Sequence, residues 1–505
     1  MQLFAHQTVL ILGLGTSGLS MARWCARQGA HVVVADSREQ PPQLQALHSS
    51  VPTARFIAGE FSPDLLQNSA AQAVFRSPGL SPRQIAPVLD AAVAAGVPVG
   101  GELGLFAQAL AALAAHQAYK PTVLAVTGTN GKTTVTSLSG QLLARCGWLV
   151  AVAGNIGPAL LDTLARQIDE QALAQTWVLE LSSFQLDDDS AFEPTAATVL
   201  NVSQDHLDWH GSMQAYVSAK AKIFGQHGLM VLNRDDARVM AMLPEPTRKK
   251  GQGLQVRRWC TFGADLPTRA GDFGMEDVNG MRWLVRAVPM DDTVRKRGEA
   301  EAELHIQRLM PADALRIRGR HNAANALAAL ALASAAGCAM APLLRGLREY
   351  RGEPHRMQPV GIVQGVEYFD DSKGTNVGAT VAALEGLGVD RKVVVILGGE
   401  GKGQDFSPLA SPVAQFARAV VLIGRDAPLI EKGLANSPAM LLHADSMKAA
   451  VRTAAQQARE GDAVLMSPAC ASFDMFDNYE HRAQVFVRCV SDLADEAGTV
   501  LEALA

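Results

Sequence analysis

The sequence predicts an α/β protein of three domains, and three observations carry that reading. The chain has 505 residues, which at roughly 150 residues per domain is about three domains. Short β-branched runs recur, each followed by turn residues and then a helical pattern: TVLIL (8–12), HVVVA (31–35), TVLAV (122–126), WVLEL (177–181), ATVLNV (197–202), KVVVIL (392–397), AVVLI (419–423) and AVLM (463–466). Runs without polar alternation suit strands covered by helices on both faces, so parallel sheets are expected throughout. Unusual polar clusters sit just past these runs, where open parallel sheets bind ligands.

Composition narrows the class. Hydrophobic residues make up 48% and charged residues 19%, which excludes wholesale disorder. A net charge of −5 gives no reason to expect nucleic acid or an anionic membrane as partner. Six cysteines without a CxxC pair fit a reducing, cytoplasmic compartment. The start, MQLFAHQTVLILG, lacks the basic region and cleavage site of a signal peptide. Residues 324–344 are uncharged and long enough to span a bilayer. They are mostly Ala, however, interrupted by Asn325, Gly337 and Pro342, so a buried helix and no membrane insertion are expected.

Domain boundaries are expected near 103, after VGGELG, and near 353, at YRGEPHR. This gives domains 1–103, 104–353 and 354–505. The stretch 245–300, with PTRKK, VRRW and VRKRGE, reads as solvated loops and edge strands.

In the central domain, TVLAV runs into TGTNGKTT (127–134) and then a helical pattern. Backbone N–H groups of Gly128, Thr129, Asn130 and Gly131, with the helix start at Lys132, Thr133 and Thr134, would cradle phosphates. Lys132 would meet the β/γ-phosphates and Thr133 would reach Mg²⁺. The strict P-loop pattern is not met, because Val126 stands where its first glycine belongs. A plain glycine turn capping a helix is the bland alternative. Glu180 closes the WVLE run and could hold Mg²⁺. SQDHLDWH adds Asp205, His206 and Asp208 past another strand end. Lys220 and Lys222, read alone, are helix-surface lysines.

In the first domain, GLGTSG (13–18) follows a strand, and Asp36 ends the next strand eighteen residues later. This is a dinucleotide-binding, Rossmann-like context. The same turn would hold the diphosphate of a UDP-sugar. The SPG turn (77–79) could help or be a simple turn. In the third domain, GIVQGVEYFDDSKGTNVGAT (361–380) reads as a hairpin with a polar end, GGEGKGQDF brings Lys402, and SPACASFDMFDNYEHR brings Ser472 and Tyr479. No GxSxG or SxxK supports a serine nucleophile and no histidine partner is visible for Cys470. A pocket for a carboxylate and an amine, with Lys373 and Lys402 supplying charge, is more economical.

The ordered set TGTNGKTT, GNIG (154–157), ELSSFQL (180–186), NVSQDH (201–206), GRHNAANALAALALA (319–333), PHR (354–356), DDSKGTNVGAT and SPACASFDMF (467–476) resembles the Mur ligase family of peptidoglycan synthesis over the whole chain. The resemblance implies a Rossmann-like N-terminal domain, a central P-loop ATPase-like α/β domain and a Rossmann-like C-terminal domain. It implies an ATP-dependent amide ligase that adds D-glutamate to UDP-N-acetylmuramoyl-L-alanine (UDP-MurNAc-L-Ala) through an acyl phosphate, with two Mg²⁺ ions. It assigns the UDP-sugar to Thr16, Ser17, Asp36, Ser37, Ser77 and Asn155. Lys132 and Thr133 serve ATP and Mg²⁺, Glu180 the first metal and His206 the second. Lys220 matches a lysine that is carbamylated by CO₂ and binds the second metal. Asn322, Asn325, Arg356, Asp371 and Lys373 match ATP positions. Thr375, Lys402, Ser472, Phe473 and Tyr479 match the D-glutamate pocket. Tyr479 stands where Phe is usual, Phe473 where Leu is usual, and GGEGK replaces GGDGK. A monomer is expected. The alternatives are a sibling ligase taking another amino acid, an NAD-linked oxidoreductase and a non-catalytic nucleotide switch. No DNPR-type motif of the diaminopimelate-adding siblings is present.

Overall fold

The first sheet has five parallel strands in the order Arg55–Ala58, His31–Asp36, Thr8–Leu12, Ala73–Arg76, Val99–Gly100. The structure is a computed structural model that describes residues 2–188, 191–248, 254–290, 303–389, 391–499 and 501. Val9, Leu10, Ile11 and Leu12 are all fully buried, because helices cover both faces of their strand. The chain order reverses beside Thr8–Leu12, so GLGTSG and SPG leave neighbouring strand ends at a switch-point crevice. Gly18 cannot carry a side chain: a Cβ there would lie 2.0 Å from the carbonyl of Gly13.

The central sheet runs Trp259–Phe262, Leu229–Asn233, Ala196–Val199, Thr122–Thr127, Thr176–Glu180, Val150–Gly154, all parallel. The strand that feeds the glycine loop therefore lies between the strand ending in Glu180 and the strand leading to Asn201. Helix Arg320–Ala335 packs behind it with Ala326, Leu327, Ala328, Ala329 and Leu330 fully buried. Among the described residues no helix is long and apolar enough to cross a membrane.

Parallel pairing does not hold throughout. Phe273–Val278, Met281–Pro289 and Leu304–Pro311 form an antiparallel sheet. Its first turn is Asn279-Gly280 with φ of 51° and 78°, the two left-handed positions that a two-residue hairpin turn requires. Within the 245–300 stretch, Trp259–Phe262 is an edge strand, as expected. Arg257 of VRRW is not simply solvated, because it donates to the carbonyls of Phe224 and Gly225. VRKRGE (294–299) and the lysines of PTRKK lie outside the described residues.

The third sheet runs Gln358–Val363, Val366–Asp370, Ala463–Met466, Val393–Gly398, Ala417–Ile423, Met440–His443. The first pair is the expected hairpin, antiparallel at the sheet edge, and the other strands pair in parallel.

Candidate active site

Strand Thr122–Thr127 turns through Gly128–Gly131 into helix Lys132–Arg145, which opens without a side-chain cap. An uncapped helix start draws anions. Two loop N–H groups are already committed. Thr129 donates to the Asn201 carbonyl at 2.9 Å, and Asn130 to Asn201 Oδ1 at 2.9 Å. Asn201 thus fixes the loop's shape. Gly131 leaves room for Asn325, whose Oδ1 would lie 2.7 Å from any Cβ there.

Lys132 Nζ donates to the carbonyls of Gly128 and Thr129, both at 2.9 Å. Lys220 Nζ donates to the same Gly128 carbonyl at 2.9 Å and lies 4.5 Å from the Tyr216 ring centre. Lys220 is 1% exposed, so the surface-lysine reading is wrong. Burial pushes its amine well down, and the charge of Lys132 adds to that. Burial also lowers Lys132, with Glu180 opposing. Lys222 instead reaches the Asp187 carbonyl at 3.2 Å.

Glu180 is 2% exposed. Its Oε1 accepts from Asn155 Nδ2 at 2.7 Å, while its Oε2 is buried without a hydrogen-bond partner. A buried, unpaired carboxylate oxygen is costly unless a cation meets it. His206 holds a left-handed backbone (φ 54°) ahead of the short helix Leu207–His210. Its backbone N–H donates to Asp205 Oδ1 at 3.0 Å, and burial lowers its imidazole, favouring the neutral form. Among the described residues no three His, Cys, Asp or Glu side chains gather as a metal cage. The donor set still fits Mg²⁺, which is commonly held by one or two carboxylates plus substrate phosphates.

A cleft of about 1020 Å³ opens between the central and third domains, and its wall includes Asn130, Asn322, Asn325, Arg356 and Asp371. Lys132, Glu180, His206, Lys220 and Lys373 are not in that wall, although Lys132 feels the charges of Glu180, Arg356 and Lys373. Arg356 Nε is buried without a partner. Asp371 accepts from Ser467 Oγ at 2.7 Å and from the Met357 N–H at 3.2 Å, and burial pushes its carboxyl up to about 6. The domains meet directly over the loop. Asn130 and Asn376 exchange side-chain amide bonds of 3.2 and 3.0 Å, and Asn376 Nδ2 also reaches Asp205 Oδ2 at 3.3 Å.

The amino-acid set is only partly assembled. Lys373 Nζ lies 5.5 Å from the Tyr479 ring centre, and burial lowers its amine. Thr375 is half-buried on the same loop, with its N–H donating to the Lys373 carbonyl at 3.0 Å. Ser472 is buried, whereas Phe473 is 67% exposed and Lys402 is on the surface. Sequence reasoning missed Arg482, which is 1% exposed. It donates to Ser372 Oγ at 3.0 Å, the Ser372 carbonyl at 2.8 Å and the Cys470 carbonyl at 3.1 Å. It ties the DDSKGTN and SPACAS loops together. It stood in the EHR of a quoted motif, and only its position after a polar loop hinted at it.

In the first domain, Thr16 and Ser17 open helix Thr16–Arg27, and Ser77 packs against Gly13. Asp36 is already engaged. Its Oδ2 accepts from the Leu14 N–H at 2.7 Å, and both oxygens pair with Arg38 at 2.8 Å. It shapes the glycine loop before it touches any nucleoside. Ser37 Oγ accepts from Gln84 at 3.4 Å.

Fold and site define a three-domain nucleotide-dependent enzyme with its phosphate loop at the meeting of domains. The chain belongs to the Mur ligase family. Residues 7–101 match the Mur ligase MurD-like N-terminal domain, 126–262 the Mur ligase middle domain, and 355–470 the Mur ligase glutamate ligase domain. It is 65% identical over 505 residues to the UDP-N-acetylmuramoylalanine--D-glutamate ligase of Albidiferax ferrireducens, covering 100% of each chain. To the protein of the same name from Polaromonas sp. it is 58% identical, covering 98% of this chain and 99% of that one. Among solved structures it resembles the UDP-N-acetylmuramate-alanine ligase MurC of Thermotoga maritima, with TM-score 0.52 and 20% identity over 97% of this chain and 100% of that one. That likeness speaks for the fold.

Proposed function

We propose that this chain joins D-glutamate to the free carboxylate of UDP-MurNAc-L-Ala at the expense of ATP. The relatives of that printed name match it from end to end, which supports the reading. The observation that carries the reading is the convergence of Lys132, Lys220 and the unpaired Glu180 Oε2 at one loop. In this reading, residues 1–103 hold the UDP-sugar, 104–353 the ATP and 354–505 the amino acid.

A carboxylate is a poor electrophile, so it is first phosphorylated and then attacked by the D-glutamate amine, releasing ADP and phosphate. Bound Mg²⁺ would neutralise phosphate charge in the loose transition state. Glu180, Thr133 and His206 are the residues that would hold it. Lys132 leaves its loop carbonyls for the transferring phosphoryl group. Burial of Lys220 favours the uncharged amine, the form that reacts with CO₂, and the resulting carbamate would place an anionic ligand where an ammonium would repel the metal. Asn322, Asn325, Arg356 and Asp371 face the nucleotide in the cleft. Lys373, Thr375, Ser472 and Tyr479 receive the amino acid, with Lys402 and Phe473 reaching it on closure. Closure over the loop keeps water from the acyl phosphate. The enzyme works as a cytoplasmic monomer. The test is phosphate release with UDP-MurNAc-L-Ala, D-glutamate and Mg-ATP together. Folded protein that releases none removes the proposal.

A further inference from the structure

The VGGELG turn marks a domain boundary, and its glutamate does more than start a helix. Glu102 is 3% exposed at the first position of helix Glu102–Gln117. Its Oε1 accepts from Ser20 Oγ at 3.0 Å and from the Leu161 N–H at 3.3 Å. Ser20 Oγ in turn accepts from the Asp162 N–H at 3.2 Å. Ser20 lies on helix Thr16–Arg27, directly behind the GLGTSG loop. Leu161 and Asp162 open helix Leu160–Asp169, which lacks a cap of its own and follows the GNIG loop carrying Asn155. One domain therefore caps a helix of the next, and an anion at that helix start is favoured by its dipole. Arg23–Asp162 at 3.2 Å and Arg27–Asp169 at 2.6 Å continue the seam. The first pair is half-buried and the second exposed, and neither contributes much; Glu102 is the buried member. Burial pushes its carboxyl up, while Leu161, Ser20 and Ser17 pull it back.

We infer that Glu102 is a positioning residue that holds the GLGTSG and GNIG loops in register as the two halves of one nucleotide-sugar site. The inference rests on the functional reading above. It touches no reacting atom, so its effect falls on one substrate. Glu102→Gln, which keeps the shape and loses the charge, raises KM for UDP-MurNAc-L-Ala about tenfold. The KM values for ATP and D-glutamate stay within about twofold. Glu102→Asp recovers part of the loss. If Glu102→Gln does not fold, Ser20→Ala replaces it. That variant buries no new charge and gives a smaller rise in the same KM alone. An unchanged KM for the UDP-sugar, or a parallel rise of all three, overturns the inference. Wild-type protein that releases no phosphate overturns the functional reading instead, so the two failures are distinguishable.

Discussion

Lys132 and Lys220 donate to the same oxygen, the carbonyl of Gly128, each at 2.9 Å. Two ammonium groups on one acceptor would repel each other, and burial lowers both amines. In the proposed reaction the arrangement would be relieved as Lys132 swings to a phosphate and Lys220 becomes the carbamate.

Lys132→Ala removes the charge that would meet the transferring phosphoryl group. Turnover falls by about a hundred- to a thousand-fold or more. Thermal melting shifts modestly, because losing the two bonds to the loop carbonyls is offset by relief of the repulsion with Lys220. Phosphate release alongside a melting curve checks this; near wild-type activity contradicts the assignment.

Lys220→Ala loses the carbamate, and a short-chain carboxylate added to the buffer restores part of the rate by occupying the vacated ligand position. Labelled ¹³CO₂ gives the wild type a carbamate carbon signal that the variant lacks. A wild type without that signal, fully active in CO₂-free buffer, refutes the carbamate.

Asn376→Ala removes both amide bonds to Asn130, the contact to Asp205 and the cap on the Ala379 N–H. At about 1 kcal/mol for each of the two amide bonds, closure over the loop weakens by about 2 kcal/mol and kcat/KM for the amino acid drops roughly thirtyfold. ATP binding measured by titration holds, since the loop itself is fixed by Asn201. A loss confined to ATP affinity would place the bridge elsewhere in the cycle.

Asp371 supplies the pH dependence. Its folded-state value of about 6 lies above the ordinary 3.8 because burial disfavours the charge. Between those values the folded state binds the extra proton, so this group's contribution to stability falls as pH rises from 4 to 6. Asp371→Asn removes that slope. Relative to wild type, the variant gains up to about 3 kcal/mol across the interval. Denaturant melts at both ends measure it; parallel curves contradict the burial argument.

Much of this was legible in the sequence, and the rest was not for definable reasons. Strand-end motifs are local, so TGTNGKTT and Glu180 could be placed from the chain alone, whereas Asn155 came from resemblance. The Asn279-Gly280 hairpin also had a local signal, which the surrounding charges masked. Glu102, Asn376 and Arg482 act through contacts between residues 59, 246 and 110 positions apart. No periodicity records such pairings. Asp36 shows the opposite failure, because its motif position suggested a ligand contact while the folded chain uses it to hold Leu14 and Arg38. The role expected of Lys220 came from resemblance and its burial only from the folded chain, since its helix pattern alone placed it on the surface.

The proposed reaction requires the cleft to accept D-glutamate as the attacking amine. A screen of amino acids with UDP-MurNAc-L-Ala and Mg-ATP, read by phosphate release and by the mass of the product, tests it most directly. Release is expected to need all three substrates, to be strongest with D-glutamate and to leave L-glutamate near background. Release that is strongest with another amino acid, or none at all from folded protein, contradicts it.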